Sequence, residues 1–161
     1  EKMSKSTGNL VMLHDLLEDY SPDVIRLFLS RHHYREPWEF DESELQDAAR
    51  LVDKLHDALH APEGAFGAPG PDTKKIRREF SGILNDDLNT RDALRKLDEF
   101  ADMILQAAGA GSNILDARLR LRDLCYIFGL RLDKEDPEER VIKKWNEHAT
   151  KFKEDGNGPH A

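Results

Sequence analysis

Lys2-Met3-Ser4-Lys5-Ser6-Thr7-Gly8-Asn9 places two ammonium groups, three hydroxyls and a glycine within a few residues of one another. On a flexible loop, ammonium groups at this spacing can deliver positive charge to phosphate oxygens, while hydroxyls and exposed backbone N–H groups add hydrogen bonds to the same oxygens. Gly8 lets the backbone turn sharply behind them. Nucleotidyl transfer from ATP to a carboxylate needs such an arrangement, because bond order shifts toward a departing pyrophosphate and negative charge gathers there. That charge is greatest in the transition state, so a loop that closes on ATP and opens for product suits the task. Such a loop is expected to be disordered without ligand. Taken alone, a Lys/Ser stretch of this length also fits a plain exposed linker.

Other residues that could do chemistry are fewer. The chain carries a formal net charge of -8, which disfavours a general nucleic-acid binder, because counterion release requires clustered cations at the phosphates. Any RNA contact must be local. Outside the first loop the basic clusters are Lys74, Lys75, Arg77 and Arg78, and then Arg118, Arg120 and Arg122. These are the candidates for a nucleic-acid backbone, with solvated helix faces paired to Glu79, Asp116 and Asp123 as the ordinary alternative. Asp86 and Asp87 could be paired acid/base carboxylates. A helix start capped by Thr90 explains them better, since acidic groups complement a helix N-terminus. His32 and His33 are adjacent, so on a helix they point different ways and make a poor metal pair. The single Cys125 lies in an apolar stripe and should be inert, and without a second Cys no disulfide or thiolate zinc site is expected. Trp38 and Trp145 read as packing residues.

The elements that must hold these groups are helical. Charged residues make up 35% of the chain and hydrophobic ones 39%, the balance of amphipathic helices with a solvated surface. Residues 10 to 13 are short and apolar, and could form one strand. His14 to Tyr20 then reads as a short helix, and Ser21-Pro22 as an N-cap with proline at the first helical position of the next, over Val24 to Arg31. The stretch His32 to Trp38 breaks the periodicity at Pro37. From Asp41, which with Glu44 resembles a capping box, Leu45, Ala48, Ala49, Val52, Leu55 and Leu59 form one helical face. Ala61 to Pro71, rich in proline and glycine, reads as a mobile surface loop.

Ile76, Phe80, Ile83 and Leu84 give a second face. A third runs from Ala93 through Leu97, Phe100 and Ile104 to Leu105. The fourth comprises Ile114, Ala117, Leu121, Leu124, Cys125 and Phe128, ending at Gly129. Four such faces make a bundle. The expected fold is therefore all-α, an antiparallel helical bundle over residues 41–132, preceded by a small loop, short-strand and helix-turn-helix module over 1–40. A further helix is expected over 133–154, with the apolar stripe Val141, Ile142, Trp145, Ala149 and Phe152, and a disordered tail over 155–161. No apolar run long enough for a membrane span and no leader peptide is read, so a cytoplasmic location and a monomer are expected.

The signature at residues 2–6 followed by Gly8-Asn9 resembles the one class I aminoacyl-tRNA synthetases carry after their nucleotide-binding domain. Tyr20-Ser21-Pro22-Asp23-Val24-Ile25-Arg26-Leu27-Phe28-Leu29 with His33-Tyr34-Arg35-Glu36-Pro37, and then Asp86-Asp87-Leu88-Asn89-Thr90-Arg91-Asp92-Ala93-Leu94, look like successive stretches of the cysteinyl type. The three blocks stand in the right order across roughly the first 130 positions. The resemblance implies activation of cysteine with ATP and magnesium, followed by transfer to tRNA. It assigns ATP contact to Lys5 and Lys2, the expected catalytic residues, and the loop chemistry adds Ser4, Ser6, Gly8 and Asn9 to the expected ATP contacts. With tRNA as acceptor, the basic clusters make Lys74, Lys75, Arg77, Arg78, Arg118 and Arg122 the expected contacts with its backbone. The family's nucleotide motif and its zinc ligands would lie in an upstream domain, so the chain is read as a fragment, expected to hold no metal and to be inactive by itself. Gly8-Asn9-Leu10-Val11 and Tyr34 to Glu39 also look somewhat like the cysteine:glucosaminylinositol ligases of mycothiol synthesis, which share the adenylate and differ in acceptor. A non-catalytic helical adaptor that binds RNA or protein is the third reading.

Overall fold

The computed structural model describes residues 11–64 and 69–132. Within them lie six helices and no strand: α1 Leu13–Asp19, α2 Pro22–Ser30, α3 Glu42–His60, α4 Thr73–Asn85, α5 Thr90–Gly109 and α6 Leu115–Ile127. The fold is all-α, as the four apolar stripes require. Val11 and Met12 are irregular and Leu13 already opens α1, so the described part of the run expected to form a strand does not pair as one. A lone strand has no ladder to join here, and its backbone groups are better satisfied by starting the helix.

The caps explain the helix boundaries. The Ser21 side chain accepts from the Val24 N–H at 3.4 Å with Pro22 at the first helical position, so α2 begins where a missing N–H costs nothing. Asp41 accepts from the Ser43 N–H at 2.8 Å and caps α3. The expected partner in a capping box, Glu44, turns instead to His32 at 3.2 Å. Asp72 accepts from the N–H groups of Lys74 and Lys75, both at 3.0 Å, to start α4. For α5 the cap is Asn89, accepting from the Asp92 N–H at 3.1 Å, and not Thr90, which is already helical. Gly129, at φ +69°, closes α6 where only a residue without Cβ sits at ease.

One core runs through all of this. α5 packs against α2, α3, α4 and α6, and its Ala93, Leu97, Phe100, Ala101 and Ile104 are fully buried. Leu27 and Phe28 of α2 join the same cluster as Leu45 and Leu55 of α3, Ile76 and Phe80 of α4 and Leu121 of α6. Small residues at Ala48, Ala58, Ala93 and Ala101 let the helix axes approach closely, with the large side chains filling between them. Across the surface, Lys54 of α3 reaches Asp98 at 2.8 Å and Asp102 at 3.0 Å on α5, and Lys96 of α5 reaches Glu79 of α4 at 2.7 Å. These pairs raise the lysine pKa values and lower that of Glu79, chiefly through the hydrogen bonds themselves.

The Pro/Gly-rich connection after α3 differs from the free surface loop expected for it. Ala61 is buried, and its carbonyl accepts from the Arg118 guanidinium at 3.0 Å. The Gly64 N–H donates to the Ser112 carbonyl at 3.2 Å. The two backbones come so close that a Cβ on Gly64 would lie 2.0 Å from the Gly111 oxygen and 2.6 Å from the Ser112 oxygen. Neither oxygen can swing away as a side chain could. Gly64→Ala is therefore expected to destabilise the bundle by about 1–3 kcal/mol, read as a lower urea midpoint with unchanged slope. An unchanged midpoint would mean the connection is free of the α5–α6 turn.

The chain after α6 is also anchored. The Asp23 side chain, buried at the start of α2, accepts from the N–H groups of Arg131 and Leu132 at 3.1 and 2.7 Å and pairs with Arg26 at 3.1 Å. Leu130 and Leu132 are buried beside it.

Candidate functional site

Lys2, Ser4, Lys5, Ser6, Gly8 and Asn9 lie outside the described residues, as do the helix expected over 133–154 and the tail expected over 155–161. What the structure places is the helical body that lies between them in sequence. α2 is the first buried helix after the signature, and the segment that leaves it, residues 31–38, is clasped to the turn between α4 and α5.

The clasp is built on one carboxylate. Asp87 Oδ1 accepts from the Tyr34 hydroxyl at 2.7 Å and lies 3.2 Å from the Arg35 guanidinium, which itself donates to the Tyr34 oxygen at 2.7 Å. His33 approaches the Asp87 carbonyl at 3.2 Å. The hydrogen bond to Asp87 raises the Tyr34 pKa. Alongside, Arg91 of α5 donates to the Arg31 carbonyl at 3.2 Å and pairs with Glu36 at 3.3 Å. Asp87 and Leu88 both adopt left-handed backbone, at φ 49° and 53°, which costs an ordinary residue roughly 1–2 kcal/mol. Two such residues in succession persist only where the surroundings over-determine them, as the clasp does. The second and third blocks of the resemblance, far apart in sequence, thus meet at Asp87. Asp86 and Asp87 belong to this turn and not to an acid/base pair.

Beneath the clasp sits an aromatic stack. His32 lies flat on Trp38, with centroids 4.1 Å apart and planes at 4°, while Phe28 meets both edge-on at 5.4 and 5.6 Å. His32 therefore does structural work, and Trp38 is the packing residue expected of it. Among the described residues no cluster of three or more His, Cys, Asp or Glu side chains is disposed to hold a metal ion. The His32 side chain is 10% exposed. Burial is the main influence lowering its pKa, aided by Arg91 and Arg31 and opposed by Glu44. The neutral imidazole is therefore favoured by folding, so its contribution to stability is complete above the unfolded value of 6.5 and is lost as pH falls through the lowered folded value. His32→Phe, which keeps a ring on Trp38 without a titrating group, should flatten the fall in stability between about pH 7 and pH 5. Unfolding curves of equal pH slope for both proteins would contradict this.

The basic candidates divide into two kinds. Lys74, Lys75, Arg77 and Arg78 are all exposed on α4, opposite the buried Ile76 and Phe80. Lys74, Arg77 and Arg78 share one face by their spacing, and Lys75 lies 3.9 Å from Glu79. Arg118 is turned inward, holding Glu63 at 3.0 Å as well as the Ala61 carbonyl. Arg120 pairs with Asp123 at 3.1 Å, and Arg122 is exposed. Burial pushes the Cys125 thiol up to about 12, with the Asp23 charge adding to it, so the side chain is an apolar filler as read from the sequence.

Residues 1–50 match the family model described as the tRNA synthetases class I (C) catalytic domain. The chain is 36% identical to a cysteine–tRNA ligase of Halorhodospira halophila over 140 residues, which is 86% of this chain and 29% of that protein. It is 33% identical to the Geobacillus thermodenitrificans enzyme of the same name across 91% of this chain and 35% of the relative. For that of Dichelobacter nodosus the figures are 36% identity, 81% and 27%. The chain thus spans about a quarter to a third of the length of the curated relatives it matches, and the likeness runs past the matched catalytic segment and through the bundle. On these grounds the chain belongs to the cysteine–tRNA ligase family.

Proposed function

We propose that this chain serves a ligase that activates cysteine with ATP and transfers it to tRNA, contributing the phosphate-neutralising loop and the helical body that supports it. The observation that carries the reading is likeness to a protein named cysteine–tRNA ligase across 86% of the chain, together with the family-model match over residues 1–50. In the activation step the cysteine carboxylate attacks the α-phosphorus of ATP, and the bond to the pyrophosphate oxygen breaks. Lys2 and Lys5 would neutralise the charge arriving on that leaving group, with Ser4 and Ser6 hydroxyls and the backbone at Gly8 and Asn9 holding its oxygens. Magnesium accompanies ATP in such chemistry, and zinc is assigned to a domain outside this sequence. The Asp87 clasp and the aromatic stack fix the segment leaving α2 against α5 and so give the chain that follows the signature a rigid body.

For the acceptor we propose tRNA, reached through Lys74, Lys75, Arg77 and Arg78. These four cations face outward on one helix, whereas Arg118 is engaged internally. A full-length ligase carrying this segment should show cysteine-dependent ATP–pyrophosphate exchange, and then label tRNA in preference to an amino sugar. Replacing Lys74, Arg77 and Arg78 together by Gln should weaken tRNA binding and make it less dependent on salt, without touching the exchange reaction. Amino-sugar labelling in place of tRNA would move the assignment to the mycothiol branch, and the absence of any exchange with cysteine would end it in favour of an adaptor.

A further inference from the structure

α2 meets the end of α6 through two charged side chains. The Asp23 carboxylate is buried, and its Oδ2 accepts from two successive backbone N–H groups, those of Arg131 at 3.1 Å and Leu132 at 2.7 Å. Its Oδ1 pairs with the Arg26 guanidinium at 3.1 Å. Arg26 in turn lies against Gly129, where a Cβ would meet its Cδ at 3.6 Å. Successive N–H groups aimed at one anion resemble the backbone concavities that bind free anions, filled here by a carboxylate of the same chain. Both bonds are charge-assisted. Leu132 takes left-handed backbone, φ 53°, where it presents its N–H. A leucine keeps that conformation only where its surroundings over-determine it.

This contact crosses a boundary. Asp23 lies within residues 1–50, the stretch that matches the catalytic-domain model, whereas Arg131 and Leu132 follow the last helix of the bundle. Leu27 and Phe28 hold the inner side of α2 by apolar contact, which has no preferred direction. Direction comes from the polar fasteners at the two ends of the helix. The Asp87 clasp holds the segment that leaves α2, and Asp23 holds its first turn, next to α1, which packs on no other helix among the described residues. Opening the contact would strand a carboxylate and two N–H groups beside the buried Leu130, Leu132 and Cys125, so the closed form is strongly preferred.

We propose that Asp23 is a positioning residue for transfer to the acceptor, a latch that sets the catalytic segment and the bundle at the angle where an acceptor held by one meets the adenylate held by the other. The role rests on the ligase function proposed above. With tRNA on the α4 cations of the bundle, activation depends on the catalytic part alone, whereas transfer depends on the alignment of the two parts. A displacement of ~1 Å between reacting groups costs up to ~10²-fold in rate. Asp23 touches no substrate and acts only through the backbone it holds.

Two sets of measurements test this. Cys125 is the sole cysteine of the chain and lies buried near Asp23, so its alkylation by N-ethylmaleimide, far below the unfolding midpoint, reports opening of the latch. Asp23→Ala should be alkylated ~10-fold or more faster than Asp23→Asn, because an amide oxygen still accepts from the same N–H groups. Both variants remove the charge near the thiol, so the difference between them reads the latch. In the unsubstituted chain the Arg131 and Leu132 amides should exchange hydrogen at least ~10-fold more slowly than free coil. In a full-length ligase carrying this segment, Asp23→Ala should slow transfer of cysteine to tRNA by ~10-fold or more, with ATP–pyrophosphate exchange and tRNA affinity near their original values, and Asp23→Asn should recover most of the transfer. A merely structural role would lower both reactions together. Equal alkylation of the two variants, coil-like exchange at Leu132, a parallel fall of both reactions or unimpaired transfer by Asp23→Ala would each overturn the proposal. An unsubstituted ligase without cysteine-dependent exchange would end the functional reading and the positioning role with it, while the alkylation rates still decide the latch.

Discussion

Lys5→Ala, introduced into a full-length ligase carrying this segment, lowers the cysteine-dependent ATP–pyrophosphate exchange rate by roughly 10²–10³-fold, the usual cost of removing one donor aimed at developing charge. The loss falls on kcat. Ground-state ATP already spreads its charge over three phosphates, whereas the departing pyrophosphate gathers additional charge, so in the proposed role Lys5 would bind the transition state better than the substrate. On the same proposal KM for cysteine stays near its original value. Lys5→Arg keeps the charge but exchanges a compact ammonium for a planar fork, and recovers only part of the rate. Lys2→Ala shows a smaller loss of the same kind, because the resemblance gives the second lysine the direct ATP contact. Wild-type exchange by the Lys5→Ala enzyme, measured at saturating ATP, would remove the chemical role from the signature and leave it an exposed linker.

Much of this organisation is legible from residue order alone, and the exceptions share a cause. The four helical stripes are local patterns, repeating every three or four residues, and each buries the side chains that its period selects: Leu45, Ala48 and Leu55 on α3, Leu97, Phe100 and Ile104 on α5. Gly129 closing α6 is also local, since its own backbone freedom decides it. What the pattern does not contain are choices between near-equal local options that distant partners settle. Asn89 and Thr90 are both competent caps, and the position of the left-handed turn at Asp87 and Leu88, held by Tyr34 and Arg35 from another part of the chain, decides for Asn89. Glu44 forgoes its capping role because His32 is within reach. The connection after α3 looks free until Gly64 is seen against Gly111, and a Pro/Gly-rich stretch signals a turn without saying what it will touch. Asp23 receiving two N–H groups from residues 131 and 132 has no sequence signal beyond its place in the first turn of a helix. The clasp left a faint one: the two polar blocks that meet there are both among the stretches that carried the family resemblance.

Phe28→Ala should cost the bundle about 3–5 kcal/mol, a large share of the roughly 5–15 kcal/mol that holds a domain of this kind together. The ring is 1% exposed and touches Phe40 edge-on at 5.7 Å in addition to His32 and Trp38, so its removal opens a cavity walled by three aromatic rings of the segment that joins α2 to α3. Those rings cannot all move inward together, because His32 is fixed between Trp38 and Glu44 and Phe40 leads directly into the Asp41 cap. Phe28→Leu fills most of the volume and loses the edge-to-face contacts, each worth about 0.5–1.5 kcal/mol, so its cost falls between that of the alanine variant and none. Urea unfolding in a Trp145→Phe background, where Trp38 is the only indole, followed by fluorescence and by helical circular dichroism, separates two consequences. If α2 is part of one cooperative core, both signals shift together to a lower midpoint. If the Trp38 signal melts early while the helical signal keeps its wild-type midpoint, the segment between α2 and α3 is a separately unfolding unit, and the clasp at Asp87 cannot transmit rigidity from the bundle to the loop that precedes α1.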